Sequence, residues 1–205
     1  MSKRHVFEEI LNSEFRWPTL GDVPFVEAAD PMDNALIADD DYTRLVLMIR
    51  GYKQSADLAV THCAVNRVDR DFLVYPIIFN YRHFIELSLK HQIATYGRSV
   101  DIEAKWDTHR LEHLWATFQD MLLKSAIPDP DEADSIVASV VAQFAKIDPK
   151  SDAYRYPVDQ KGQPLPMAFV ATHLENLADV MKAVAGYFDG CDGYLSDLRS
   201  AAPSI

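Results

Sequence analysis

Apolar residues recur along this chain with a spacing of three and four, and the pattern predicts a succession of helices. Leu45, Ile49, Tyr52, Ala56, Ala59 and Cys63 form one such seam, predicting a first long helix over about 39–66. A polar stretch, Asn66 to Asp71, makes the turn. A second long helix is predicted from about Asp71 to Tyr96, with Pro76 tolerated near its start and Gly97 as its stop. Two long helices with so short a joint predict an antiparallel hairpin.

The second helix is apolar on nearly every side. Leu73, Ile77, Phe84 and Leu87 mark one face; Ile78, Tyr81, Ile85 and Leu89 mark another. A helix with that pattern is central and packed on by several neighbours. Yet Arg82, Glu86 and Lys90 sit in it at i, i+4 and i+8, so they stack in one stripe. One reading is an ion-pair ladder on a wet face, contributing a few tenths of a kcal/mol per pair. The other is a polar groove for an anionic ligand. Charge stripes are usually solvated, which favours the first.

Further on, Leu111, Leu114, Trp115, Phe118 and Leu122 predict a third helix capped by Asp107 or Thr108. Pro128 and Pro130 break the chain. Ile136, Val137, Val140, Val141, Phe144 and Ile147 predict a fourth, over about 132–147. Val170, Leu174, Leu177, Met181, Val184 and Phe188 predict a last helix from about Met167 to Asp189, stopped by Gly190. Between these two lies a long proline-bearing loop, 148–166. A loop of that length in a compact domain is usually functional or disordered. The aromatics around Arg155 in Tyr154-Arg155-Tyr156-Pro157 predict an ordered one, either beside a site or merely pinned to the bundle. Residues 5–15 have the apolar spacing of a short helix before Trp17-Pro18. The expected organisation is an N-terminal arm (1–33), one all-α up-and-down bundle of four to five main helices (34–195) and a loose tail (196–205).

Composition narrows the function classes. The 205 residues are 48% hydrophobic and 25% charged, an ordinary globular balance. A net charge of −11 argues against a large duplex-DNA surface, while leaving room for a local basic pocket. No apolar run reaches the length of a membrane span, and the start lacks a signal peptide's apolar core. Cys63 and Cys191 are too few for a disulfide framework or a cysteine zinc site. A reducing cytoplasm fits these features best.

His109-Arg110-Leu111-Glu112-His113 matches the H-x-x-E-H pattern of inverted zinc metallopeptidases. A third ligand would have to come from elsewhere, and Glu175 is the only glutamate after Glu132. Leu111 and Leu114 claim the inward face, which leaves both histidines at its edge. Zinc hydrolysis is therefore a minor alternative, and neither a metal nor another cofactor is expected. There is no G-x-S-x-G, P-loop or G-x-G-x-x-G.

Glu86 and Lys90 on a central helix, then Gly97, then Thr108-His109-Arg110-Leu111 with Leu114-Trp115, together resemble the HEPN superfamily of nucleotide-binding helical proteins. Arg110 stands where those proteins usually carry an acid. The segments Arg82-His83-Phe84-Ile85-Glu86-Leu87-Ser88-Leu89-Lys90 and Tyr154-Arg155-Tyr156-Pro157 resemble uncharacterised bacterial HEPN-like proteins, over roughly 40–190. The resemblance implies a helical bundle, often a homodimer, with a groove for nucleotide or RNA, in a defence or toxin–antitoxin setting. Many relatives are metal-independent ribonucleases with an R-x(4–6)-H motif, and no histidine here has an arginine at that spacing. The expected binding residues are Arg82, Glu86, Lys90, His109, Arg155 and Tyr156. Arg155 offers a planar fork for phosphate, and Tyr156 a face for a base. Glu86 would orient Arg82. His109, in the first turn of its helix, would sit near unpaired backbone N–H groups. A non-catalytic dimeric interaction protein is the alternative.

Overall fold

A computed structural model describes residues 16–129 and 132–201. The expected helix over 5–15 lies outside the described residues. The chain divides into two units at Ile37/Ala38. The described residues of the first, 16–37, have a hydrogen-bonded turn at Thr19–Asp22 and one 3-10 turn at Pro31–Asp33, capped by the Asp30 side chain.

The second unit is all-helical, as the spacing predicts. Among the described residues it contains α1 (Asp41–Val65), α2 (Arg70–Tyr96), α3 (Leu111–Lys124), α4 (Ala133–Ile147) and α5 (Leu174–Ala201). Asp40 caps α1 by accepting the Thr43 N–H at 2.7 Å. α1 and α2 are antiparallel: Tyr42 meets the ring of His91, Tyr52 meets His83, and Tyr81 donates to Asp57. Each pair descends one helix while climbing the other. α2 is the central element and packs against α1, α3 and α5. Every residue from Phe84 to Ile93 is buried. Pro76 lies inside α2, so the Phe72 carbonyl loses its usual N–H donor while the helix continues.

Three helices differ from the sequence expectation. α3 starts at Leu111 rather than at 107 or 108, leaving His109 in the connection before the helix. Burial of Leu111 and Leu114 fixes that start, and Arg110 takes the N-cap position. α4 turns Ile136 outward while Val137, Val141 and Phe144 are buried. α5 begins at Leu174 and runs through Gly190 and Gly193 to Ala201. Each helical glycine costs about 1 kcal/mol. Phe188 and Leu195, both buried, and the Tyr96 hydroxyl, which donates to Asp192 at 2.8 Å, hold the helix past them. Residues 196–201 are therefore helical, not a loose tail.

Gly97 ends α2 for a reason of space. Its backbone is right-handed, and a Cβ there would stand 2.6 Å from the Ile102 carbonyl oxygen. Ile102 N–H donates to the Gly97 carbonyl at 2.9 Å, drawing the connection tightly onto the helix end.

Candidate functional site

The charged stripe of α2 is not on a wet face. Arg82 is 0%, Glu86 1% and Lys90 3% exposed. Burying full charges is unfavourable unless each finds close partners, and the three charges of the stripe do. Arg82 donates through Nε to the Asp148 carbonyl (2.9 Å), through Nη1 to Glu86 Oε2 (3.0 Å) and through Nη2 to the His109 carbonyl (2.7 Å). Lys90 Nζ donates to Glu86 Oε1 (3.0 Å) and to the Trp106 carbonyl (3.1 Å). The Asp148 carboxylate lies 3.6 Å from Arg82 Nε and accepts the backbone N–H groups of Asp152 and Ala153. Two cations thus face two carboxylates.

These partners sit on two connections. Trp106 and His109 belong to the segment between α2 and α3, and Asp148 opens the loop after α4. The ladder is a clamp that fixes both connections to the central helix. Its donors are engaged within the protein, so Arg82 and Lys90 do not offer themselves to an anion as the groove reading requires.

His109 differs. Its side chain is 58% exposed, and Nδ1–H donates to Glu86 Oε1 at 2.8 Å. Burial works against the Glu86 charge. The hydrogen bonds from Lys90 and His109, with the charge of Arg82, more than offset it and hold its carboxyl below the usual range. An ionised Glu86 fixes the ring and directs Nε2 away from itself. This is the geometry of an oriented general base or acceptor, placed ahead of the helix rather than in its first turn.

Arg155 is exposed and faces the same side of α2. Its guanidinium carbon lies 5.5 Å from the Phe79 ring centre and 5.3 Å from that of Tyr156, and Nε donates to the Ser151 carbonyl at 2.6 Å. Phe79, His83, Glu86 and Lys90 follow one another at helical spacing along that side. Phe79 stacks on His83 at 5.5 Å and 12°, and Tyr52 meets His83 edge-on. Tyr154 is buried against Phe169 and pins the loop, while Tyr156 is 55% exposed. The loop is thus both pinned and exposed, through different aromatics.

Of the six expected residues, Arg82, Glu86, Lys90 and His109 share one hydrogen-bonded network, and Arg155 lies over both Phe79 and Tyr156. His83 was missed as a member of this strip. Burial pushes its imidazole below the ordinary value, with Glu86 acting the other way, and Nδ1 is buried without a partner. The Phe79–His83 spacing of four was the available signal. The H-x-x-E-H zinc reading loses its geometric basis. His109 precedes the helix that carries His113, so the two do not stand one helical turn apart. No group of three or more metal-ligating side chains is gathered among the described residues. No described helix is long and apolar enough to cross a membrane. Comparison with known protein families, with curated proteins and with solved structures found no match.

Proposed function

We propose that this is an HEPN-like nucleotide- or RNA-binding protein whose ligand lies on the strip formed by His109, Arg155 and Tyr156. The observation that carries this reading is the setting of Arg155. Its Nε is held by Ser151 and its plane rests against two rings, while the terminal nitrogens have no hydrogen-bond partner among the described residues. A pre-positioned fork beside an exposed tyrosine suits a phosphate with a base attached. The buried clamp supports the strip without contacting ligand. ATP and a short single-stranded RNA should raise the melting temperature of the protein, and Arg155→Ala should abolish the shift with the fold intact. An unchanged shift in Arg155→Ala and His109→Gln rejects the reading.

A second reading, a dimeric interaction protein, is favoured by one observation. Thr43, Leu47, Gly51, Gln54, Leu58, Thr61 and Val65 form an exposed stripe on α1 without a charged side chain. Its order is nearly the same from either end about the centre of the helix. Two copies crossing antiparallel there would set Leu47 against Leu58 and Thr43 against Thr61, as a two-fold interface requires. In a chain of charge −11, a charge-free stripe is where a second copy approaches with least repulsion. Sedimentation of the protein and of Leu58→Asp tests it: a dimer that the substitution dissociates is expected, and a monomer throughout rejects it.

A further inference from the structure

Phe79, His83, Glu86, Lys90 and Ile93 follow one another at spacings of four and three, so they share one face of α2. Three of them fix what stands above. Arg155 lies over Phe79, His109 is held by Glu86, and the Trp106 carbonyl is held by Lys90. The α2–α3 connection therefore runs back along this face toward Arg155. At Ile93 the face ends in a hollow of about 300 Å³, lined also by Lys105 and Thr108 of the connection and by His113, Leu114 and Thr117 of α3.

The hollow collects donors and no acid. Lys105 and His113 are exposed, and neither side chain has a hydrogen bond or an ion pair among the described residues. Thr108 Oγ1 accepts the Arg110 N–H at 3.2 Å and keeps its own hydrogen to donate. Thr117 differs, since its hydroxyl is spent on the His113 carbonyl. No Asp or Glu lines the hollow, in a chain of net charge −11. An unpaired ammonium beside a hydroxyl donor and an imidazole, with no carboxylate among them, suits phosphate oxygens. Residues 79 and 93 lie about 21 Å apart along the helix, at a rise of about 1.5 Å per residue. A stacked strand advances about 3.4 Å per nucleotide, so that distance is roughly six nucleotides, and fewer where the strand is stretched. A mononucleotide held at Arg155 does not reach Lys105, whereas a single strand does.

We propose that Lys105, Thr108 and His113 form a second phosphate subsite, which makes the ligand of the strip a single strand of several nucleotides. This rests on the nucleotide- or RNA-binding reading above. Arg155 holds one phosphate of the strand, Lys105 and the Thr108 hydroxyl hold a later one, and the exposed Tyr156 ring takes a base.

Fluorescence anisotropy on the full chain, with labelled oligoadenylates of six and of two nucleotides, is the test. The six-mer should bind at least about tenfold more tightly than the two-mer. Lys105→Gln should weaken the six-mer about fivefold and lower the slope of log affinity against log salt by about 0.7, the value for one phosphate contact on a single strand. Binding of the two-mer and of ATP should be unaltered, and Lys105→Arg should restore the six-mer. Lys105 is exposed, so an unchanged melting curve is expected in both variants. Equal affinity for the two lengths, or a six-mer indifferent to Lys105→Gln, overturns the second subsite while Arg155-dependent ATP binding upholds the nucleotide reading. Loss of Arg155 dependence for ATP and six-mer alike removes that reading and the subsite with it. A Lys105-dependent thermal shift with inorganic phosphate, and no binding of the six-mer, assigns the hollow to free phosphate and overturns the strand.

Discussion

The side of α2 that carries Arg82, Glu86 and Lys90 is buried, whereas the outer side of α1 that carries Leu47, Leu58 and Val65 is open to solvent. Both are helices of similar length, packed on each other, and they invert the usual placement of charge and hydrocarbon. The difference lies in what each side meets. Two irregular connections descend on α2 and bring carbonyls and a carboxylate that answer its charges. Nothing among the described residues of the bundle covers the outer side of α1. Charge is tolerated inside when opposite charges and hydrogen-bond partners lie close, and hydrocarbon is left outside when no element remains to cover it.

Breaking the clamp should have the largest effect. Glu86→Ala leaves Arg82 and Lys90 buried without their carboxylate, and a loss of about 3–5 kcal/mol is expected in denaturant unfolding. A loss below about 1 kcal/mol would mean that the stripe is solvated in solution. Gly97→Ala comes next. Its methyl meets backbone, not a flexible side chain, and overpacking of this kind costs about 1–3 kcal/mol. The same change should loosen His109 and weaken any ligand bound there.

Acidification separates the two sides further. His83 and His91 have folded pKa values below the ordinary 6.5, because burial disfavours their charge. The stability they protect is complete above about 6.5 and is lost as pH falls below it, since the unfolded chain then takes up protons first. Glu86 adds a second loss below its ordinary 4.5, as pH falls through its lowered folded value. Melting temperature should therefore decline in two stages, and His83→Phe with His91→Phe should remove the upper one. Leu58→Asp should have the smallest effect on stability, within about 0.5 kcal/mol, because it replaces an exposed side chain. Its consequence is for association alone.

The periodic seams made the bundle legible: Leu111, Leu114, Trp115, Phe118 and Leu122 of α3, and Ala56 and Cys63 of α1, are buried where the three–four spacing puts them. The ends of α3 and α5 were not legible, because caps and glycines were read as local signals and burial of Leu111, Phe188 and Leu195 overrode them. The stripe on α2 was visible as spacing. That it is buried was not, since its partners are carbonyls of residues 106, 109 and 148, and a backbone oxygen leaves no mark in a sequence. The pairing of Glu86 with His109 is hidden for a related reason, as it spans 23 positions with no periodic relation. The hollow beside Ile93 arises from three segments meeting, which no single stretch encodes.

The grip of Arg82 on the His109 and Asp148 carbonyls reaches forward 27 and 66 positions along the chain. During synthesis α2 emerges long before residue 148 exists, so its guanidinium must stay hydrated until the later segments arrive. The centre can dry only once the segment that carries the Asp148 carbonyl has been made. A nascent chain paused before residue 148 should remain open to protease across 82–90.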